Sequence, residues 1–343
     1  MMKTAGMARR SLLAGLAVGS VAFAAPIVVR ASEKKIVVPL ATWGSPTHIN
    51  LTSFVSALEA ALQEESGGRV TLRHYPAGQL AQDVDMPIAI PTGKVKFGWI
   101  TLSNWSGLVK DVGALSLPTA MSIEAAAKLS DQPGGLKEVL DRQFQAKGAK
   151  LLAMTDLGSP AIVSSKRIAL PDDMKGLRVR APSEGYAKFI LQLGGAPVAI
   201  PFAETYTALQ HGTIDAAVVG FPGIASQRLY EICKFAIVPG SFTGMSMMAF
   251  AANLAWWNSF DAEDQAILSK AIRRAEIASR AAIIKDRAGL ADQYRAEGME
   301  VIMLDESMPE FPAWKEATAP LLQRASEFSK EIMAPFQAAS VSQ

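Results

Sequence analysis

The chain has 343 residues, half of them hydrophobic and 19% charged. That is enough for about two domains with sizeable cores, and too apolar for an intrinsically disordered protein. The formal charge of +2, from 34 Lys+Arg against 32 Asp+Glu, comes with no basic block interleaved with aromatics, so nucleic acid is not an expected partner.

The first element is a leader. Lys3, Arg9 and Arg10 precede an uncharged run over residues 12–29 that ends near Pro26, and Val29 and Ala31 fall at −3 and −1 of a cleavage site. This order of basic, apolar and small residues marks residues 1–31 as an export signal peptide, and Arg9-Arg10 followed by Ser11-Leu12-Leu13 resembles a twin-arginine signal. An uncleaved anchor is the alternative for a run of this length. The leader holds four basic residues and no acidic ones, so the remainder carries −2. That remainder has no further run of membrane length.

Residues 36–40 read as a strand, and 47–65 as a helix with Leu51, Phe54, Val55, Leu58 and Leu62 on one face and Gly67-Gly68 as its stop. Residues 69–75 alternate like a strand, 83–90 form a short helix, and 95–100 the next strand. This β-α-β-α-β order implies a largely parallel sheet flanked by helices. A second α/β unit begins near Leu151: strands at 162–163, 176–179, 197–200 and 214–219, and helices at 182–193 and 204–210. Residues 247–251 form a buried strand. A helical pattern then runs over 261–297, with Asp261 as its cap. At 1.5 Å per residue it is on the order of 50 Å long, wider than one small domain, which favours two lobes joined by shared elements.

The sequence carries no glycine-rich dinucleotide loop, phosphate loop, nucleophile elbow or paired-histidine zinc motif. His48, His74 and His211 are scattered and read as packing or surface residues. No Cys/His or acidic cluster calls for a metal, and no cofactor is expected. Cys233, the single cysteine, cannot form an internal disulfide and sits among apolar neighbours as a small hydrophobe. An enzyme is therefore not expected, although a triad assembled from distant positions leaves no spacing signature.

Residues 171–222 carry the functional reading. Met174-Lys175-Gly176-Leu177-Arg178-Val179-Arg180 is followed by Gly194-Gly195-Ala196-Pro197-Val198. Then come Pro201-Phe202-Ala203-Glu204-Thr205-Tyr206-Thr207-Ala208-Leu209-Gln210 and Gly212-Thr213-Ile214-Asp215. In order and spacing this resembles the substrate-binding subunits of tripartite ATP-independent periplasmic (TRAP) transporters, the DctP family. Weaker similarity covers Gly67-Gly68-Arg69-Val70, Tyr75-Pro76-Ala77-Gly78-Gln79-Leu80 and the long helix.

The resemblance implies a two-lobed periplasmic binding protein fold of the α/β class. Its mixed or parallel sheets are joined by hinge strands and a lobe-spanning helix. It divides the chain into the signal at 1–31, lobe I at 32–157 with 246–284, lobe II at 158–245 with 285–330, and a tail at 331–343. It also implies a periplasmic protein that binds a small organic acid between its lobes and docks on TRAP membrane subunits, as a monomer with a dimer left open.

In the family the arginine that ends the Lys-Gly-Leu strand holds the ligand carboxylate, which here is Arg180. A guanidinium offers paired, charge-assisted donors that fix orientation, which lysine cannot do. Arg178 has the same strand parity, so alternation alone does not choose between them. Phe202 falls at the cleft edge by similarity, with Tyr206 and Leu209 assigned to packing. Thr101 and Ser183 are the polar candidates, and Trp43, Trp99, Phe202, Phe221 and Phe242 the aromatic ones.

Two departures make the expected cleft more apolar. The family commonly follows its aspartate with glycine-glutamine-glutamate-asparagine-proline, whereas this chain has Asp215-Ala216-Ala217-Val218-Val219-Gly220-Phe221-Pro222, with Val219 at the polar contact. Some members carry a second arginine at a place that falls near Pro160, and no Arg lies between Lys150 and Lys166. Both changes point to a monocarboxylate with an apolar or aromatic body. C4-dicarboxylate or keto-acid binding is the alternative ligand reading. A binding protein for a sensor or an ATP-driven importer, or an exported enzyme, is the alternative role.

Overall fold

A computed structural model describes residues 35–118, 127–128, 130–158 and 160–334. The export signal over 1–31 and the end of the tail lie outside the described residues. The strands in chain order are β1 (Ile36–Ala41), β2 (Val70–Tyr75), β3 (Phe97–Thr101), β4 (Ala149–Gly158), β5 (Pro160–Ser164), β6 (Arg178–Arg180), β7 (Ala196–Val198), β8 (Ala216–Gly220), β9 (Phe235–Val238), β10 (Ser246–Asn253) and β11 (Glu300–Met303). They form two sheets, ordered β2-β1-β3-β10-β4 and β11-β9-β5-β8-β6-β7, which are the cores of two lobes.

The first three strands pair in parallel, as the β-α-β-α-β order predicts. The sheet is nonetheless mixed, because β10 inserts antiparallel between β3 and β4. β10 enters from almost 150 residues downstream of β3, and no local pattern reports that pairing. Residues 136–145, 235–238, 300–303 and 311–318, which the sequence reading leaves without elements, form a helix, β9, β11 and a further helix.

Helix Ile49–Ser66 buries Leu51, Phe54, Leu58 and Leu62 against the first sheet and ends where Gly67 turns left-handed at φ 60°. Its N-cap is His48, whose Nδ1 accepts from the Asn50 N–H at 3.3 Å. The long helix Ala262–Ala296 begins at Asp261, which accepts from the Asp264 N–H at 2.9 Å. Its 35 residues span about 52 Å. It packs on Ile49–Ser66 in the first lobe and carries Tyr294 to the second, where the phenol donates to the Phe221 carbonyl at 2.9 Å.

Among the described residues, four passages link the lobes. β4 ends at Gly158 in the first sheet and β5 begins at Pro160 in the second, so the chain passes from sheet to sheet there. The chain returns before β10 through Gly244, where a Cβ would fall 2.6 Å from the Leu115 carbonyl, and Met245 N–H donates to that same oxygen at 2.8 Å. The long helix is the third passage. The fourth brings Phe328 onto Gly113 and Ser329 onto Asp111, whose carboxylate accepts from the Ser329 amide at 2.9 Å and its hydroxyl at 2.5 Å. Phe328 and Ser329, which the expected boundaries place in lobe II, thus contact the first lobe.

Candidate functional site

β6 ends at the cleft between the lobes, next to β8, to which it runs parallel. Ligand crevices in open α/β sheets lie beyond such carboxyl ends. Arg178 and Arg180 share parity on β6, yet their environments differ. Arg178 is exposed and holds Asp215 through two hydrogen bonds of 2.9 and 3.0 Å, with the Gly212 carbonyl at 2.7 Å. Arg180, two residues further along, is 2% exposed.

The Arg180 side chain is positioned by backbone oxygens. Its Nε donates to the Ile200 carbonyl and its Nη1 to the Val218 carbonyl, both at 2.9 Å. The guanidinium lies 5.6 Å from the Phe202 ring centroid. Two of its five N–H groups are thereby used, leaving one on Nη1 and two on Nη2. Asp83 Oδ2 approaches Nη2 at 3.7 Å, beyond hydrogen-bond length but within ion-pair range. Burial pushes the Asp83 carboxyl above its ordinary value, with Arg180 and the Phe202 and Val84 amides acting in the opposite direction. Burial likewise lowers Arg180, from a value so high that it stays charged.

These groups line a cleft between the lobes. The first lobe contributes Trp43, Asp83, Thr101, Ser103 and Ser246. The second contributes Arg180, Pro182, Tyr186 and Phe202, together with Val218, Val219 and Gly220 on β8 and Pro160 on β5. Arg180 and Asp83 are the charged residues among the lining side chains. Pro160 and Val219, the two positions of apolar departure, are neighbours, because Pro160 pairs with Gly220 and Ala161 with Val219.

Of the sequence candidates, Arg180, Trp43, Thr101, Phe202 and Val219 meet in this cleft. Trp43 and Phe202 touch across it, ring centroids 5.3 Å apart at 75°. Trp99 does not line it: fully buried, it stacks behind Trp43 at 4.4 Å and braces that ring. Ser183 heads helix Glu184–Gln192 without capping it, and its Oγ is buried without a hydrogen-bond partner among the described residues. Phe221 faces the other way, edge-on to Tyr294 at 5.1 Å, because β8 has ended and the chain has turned. Phe242 packs on Phe311 at 5.0 Å in the second-lobe core. Phe221 and Phe242 are therefore packing residues.

Asp83, Ser103, Tyr186 and Ser246 were missed. Nothing in the sequence distinguishes Asp83 from Asp85, two residues on, because the partner that gives it meaning is 97 positions away. Cys233 is buried and its thiol is pushed up to about 12 by that burial. Among the described residues, no group of three or more His, Cys, Asp or Glu is placed to hold a metal ion, and no helix is long and apolar enough to cross a membrane.

Residues 40–328 match the family model DctP, bacterial extracellular solute-binding protein, family 7. The chain belongs to this family. The C4-dicarboxylate-binding periplasmic protein DctP of Rhodobacter capsulatus is 27% identical over 329 residues, 95% of this chain and 94% of its own length. The y4mM protein of Sinorhizobium fredii is 31% identical over 234 residues, 66% of this chain; the match spans 42% of that longer relative. The DctP-type fold is matched by the crystal structure of a TRAP periplasmic solute-binding protein from Haemophilus influenzae with bound L-gulonate. It has a TM-score of 0.81 and 22% identity, covering 90% of this chain and 100% of that one. The chain is thus a bacterial extracellular solute-binding protein of the DctP family, with the two-lobed α/β fold that its family pattern implies.

Proposed function

We propose that this DctP-family chain is exported, by the twin-arginine route, to the periplasm. There it captures a small organic monocarboxylate with an apolar or aromatic body and delivers it, by closure of the two lobes, to TRAP membrane subunits. The observation that carries this reading is the buried Arg180 guanidinium, which keeps N–H donors beyond those given to Ile200 and Val218 and lines a cleft walled by Trp43 and Phe202 from opposite lobes. Its charge and planar donor pair suit a carboxylate, and the rings, Pro160 and Val219 suit an apolar body.

The Rhodobacter relative is named for C4-dicarboxylates. Among the described residues Arg180 is the single cationic one lining this cleft, so a second carboxylate would lack a charged partner. That favours one carboxylate over two. Contacts made by both lobes would bias the protein towards the closed state, since only differential affinity shifts such an equilibrium. Service to a sensor or an ATP-driven importer would leave the same cleft, and neighbouring TRAP membrane genes separate the cases. Recovery of the ligand unchanged after long incubation would count against an enzyme.

The test is a thermal-shift screen of the mature protein against mono- and dicarboxylic acids, with calorimetry on each hit. Binding at a hundredfold excess over Kd adds about 2.7 kcal/mol of stability. A shift with a monocarboxylate that disappears in Arg180→Ala supports the proposal. A response confined to dicarboxylates or hydroxylated sugar acids overturns the ligand class, and no response to any carboxylate overturns the role of Arg180.

A further inference from the structure

The cleft already contains a carboxylate. Asp83, on the first lobe, is 2% exposed and lines the space beside Arg180, with its Oδ2 3.7 Å from Nη2. At that separation the two groups form an ion pair without a close hydrogen bond, so a ligand group that docks beside them can contact both. Among the described residues, no other charged side chain lines the cleft. With Asp83 ionised beside Arg180, these two charges cancel before a ligand enters.

A plain carboxylate placed on the Nη edge would bring a second negative charge against Asp83 in a poorly hydrated space. Like charges at such range repel strongly. The conflict vanishes if the ligand offers Asp83 a hydrogen-bond donor. A heteroatom on the carbon next to a carboxylate lies within a hydrogen-bond length of the carboxylate oxygens. It can therefore face Asp83 while the carboxylate faces Arg180. Starting from the proposed monocarboxylate reading, we infer that Asp83 is a specificity-determining residue. It selects carboxylic acids that carry a donor on the adjacent carbon, an ammonium ahead of a hydroxyl. The order follows from charge: a zwitterion keeps the closed cleft neutral, whereas a 2-hydroxy acid satisfies the hydrogen bond and leaves one negative charge in excess. Trp43, Phe202 and Val219 remain for the body of the ligand.

The experiment uses three matched sets, each differing only in the group beside the carboxylate. The first is propanoate, lactate and alanine. The second is 4-methylpentanoate, 2-hydroxy-4-methylpentanoate and leucine. The third is 3-phenylpropanoate, 3-phenyllactate and phenylalanine. Calorimetry is run on the full mature chain and on Asp83→Asn, whose unliganded melting curve checks that it folds. In the parent protein, the donor-bearing members of the best set should bind at least about tenfold more tightly than the unsubstituted acid. Asp83→Asn should erase the preference for the ammonium.

If the unsubstituted acid binds the parent as tightly as its partners, and Arg180→Ala abolishes that binding, the inference fails and the monocarboxylate reading stands. A donor preference that survives in Asp83→Asn also overturns the role of Asp83. If no member of any set binds, the monocarboxylate reading fails, and this inference fails with it.

Discussion

Gly185, at the head of helix Glu184–Gln192 in the second lobe, faces Ser116 of the first lobe so closely that a Cβ on it would fall 2.3 Å from Ser116 Oγ and 2.4 Å from Ser116 Cβ. The backbone conformation of Gly185 is ordinary, so the constraint comes from the opposite lobe and not from φ. Rotating the hydroxyl relieves only one of the two contacts, because the Ser116 Cβ is fixed by the backbone. Gly185→Ala should therefore oppose closure while leaving each lobe intact. The expected result is a ligand affinity at least about tenfold weaker, from overpacking on the order of 1–3 kcal/mol, with little change in the unliganded melting temperature. Pairing it with Ser116→Gly should restore binding, and calorimetry on the single and double variants measures the rescue.

Arg178 and Arg180 supply an internal control. Arg180→Lys removes the donors to the Ile200 and Val218 carbonyls and leaves Asp83 beside a misplaced ammonium. It should cost about 2–5 kcal/mol of binding free energy, as truncations of buried charge pairs do. Arg178→Lys, in an exposed pair with Asp215, should leave binding unchanged. Equal effects of the two substitutions in calorimetry would show that the two arginines do not differ as their burial implies.

Glu276 is completely buried in the long helix and binds the hinge run at a backbone group: its Oε1 accepts from the Met154 N–H at 2.8 Å. Arg280 donates to the Met154 carbonyl at 2.9 Å and to Glu276 at 2.9 Å, and Arg273 holds the other carboxylate oxygen at 2.7 Å. Glu276→Ala strands the amide and the cations together. It should destabilise the fold by about 3–5 kcal/mol in urea titrations. Glu276→Gln keeps an acceptor for Met154 and should cost less.

His48 is buried edge-on to Trp99 at 5.4 Å, and its burial lowers the imidazole to about 4. Its unfolded value is near 6.5, so the unfolded chain binds the proton more readily than the folded one. Stability is then complete above pH 6.5 and falls as the pH drops towards 4, by about 3 kcal/mol in all. Protonation of Nδ1 would also remove the acceptor that caps helix Ile49–Ser66. Urea midpoints measured from pH 7 to pH 4 should fall more steeply for the parent than for His48→Gln.

The elements legible in the sequence were those with local signatures. Apolar spacing located helix Ile49–Ser66 and the long helix Ala262–Ala296 to within a residue or two at most ends. Short elements without strong periodicity, such as β9 and β11, were not legible. Their four residues become strands by pairing with each other in parallel across more than sixty positions of sequence.

In the site, the motif ending at Arg180 and the apolar substitutions at Pro160 and Val219 could be read one residue at a time. Whether an aromatic residue faced the cleft or a core could not. Trp43 and Trp99 are equally apolar and nearly equally buried, yet one lines the cleft and the other supports it from behind. Likewise Phe202 faces Arg180, whereas Phe221 and Phe242 face Tyr294 and Phe311.

The sequence by itself therefore determined the family, the two-lobed α/β class, the long helix and the buried arginine, because each rests on local spacing or on a contiguous motif. The tertiary structure alone decided the insertion of β10 between β3 and β4, the closeness of Gly185 to Ser116 and the meeting of Asp83 with Arg180. Those depend on how two lobes close across a cleft. No periodicity within one segment encodes which residue of a distant segment it will face.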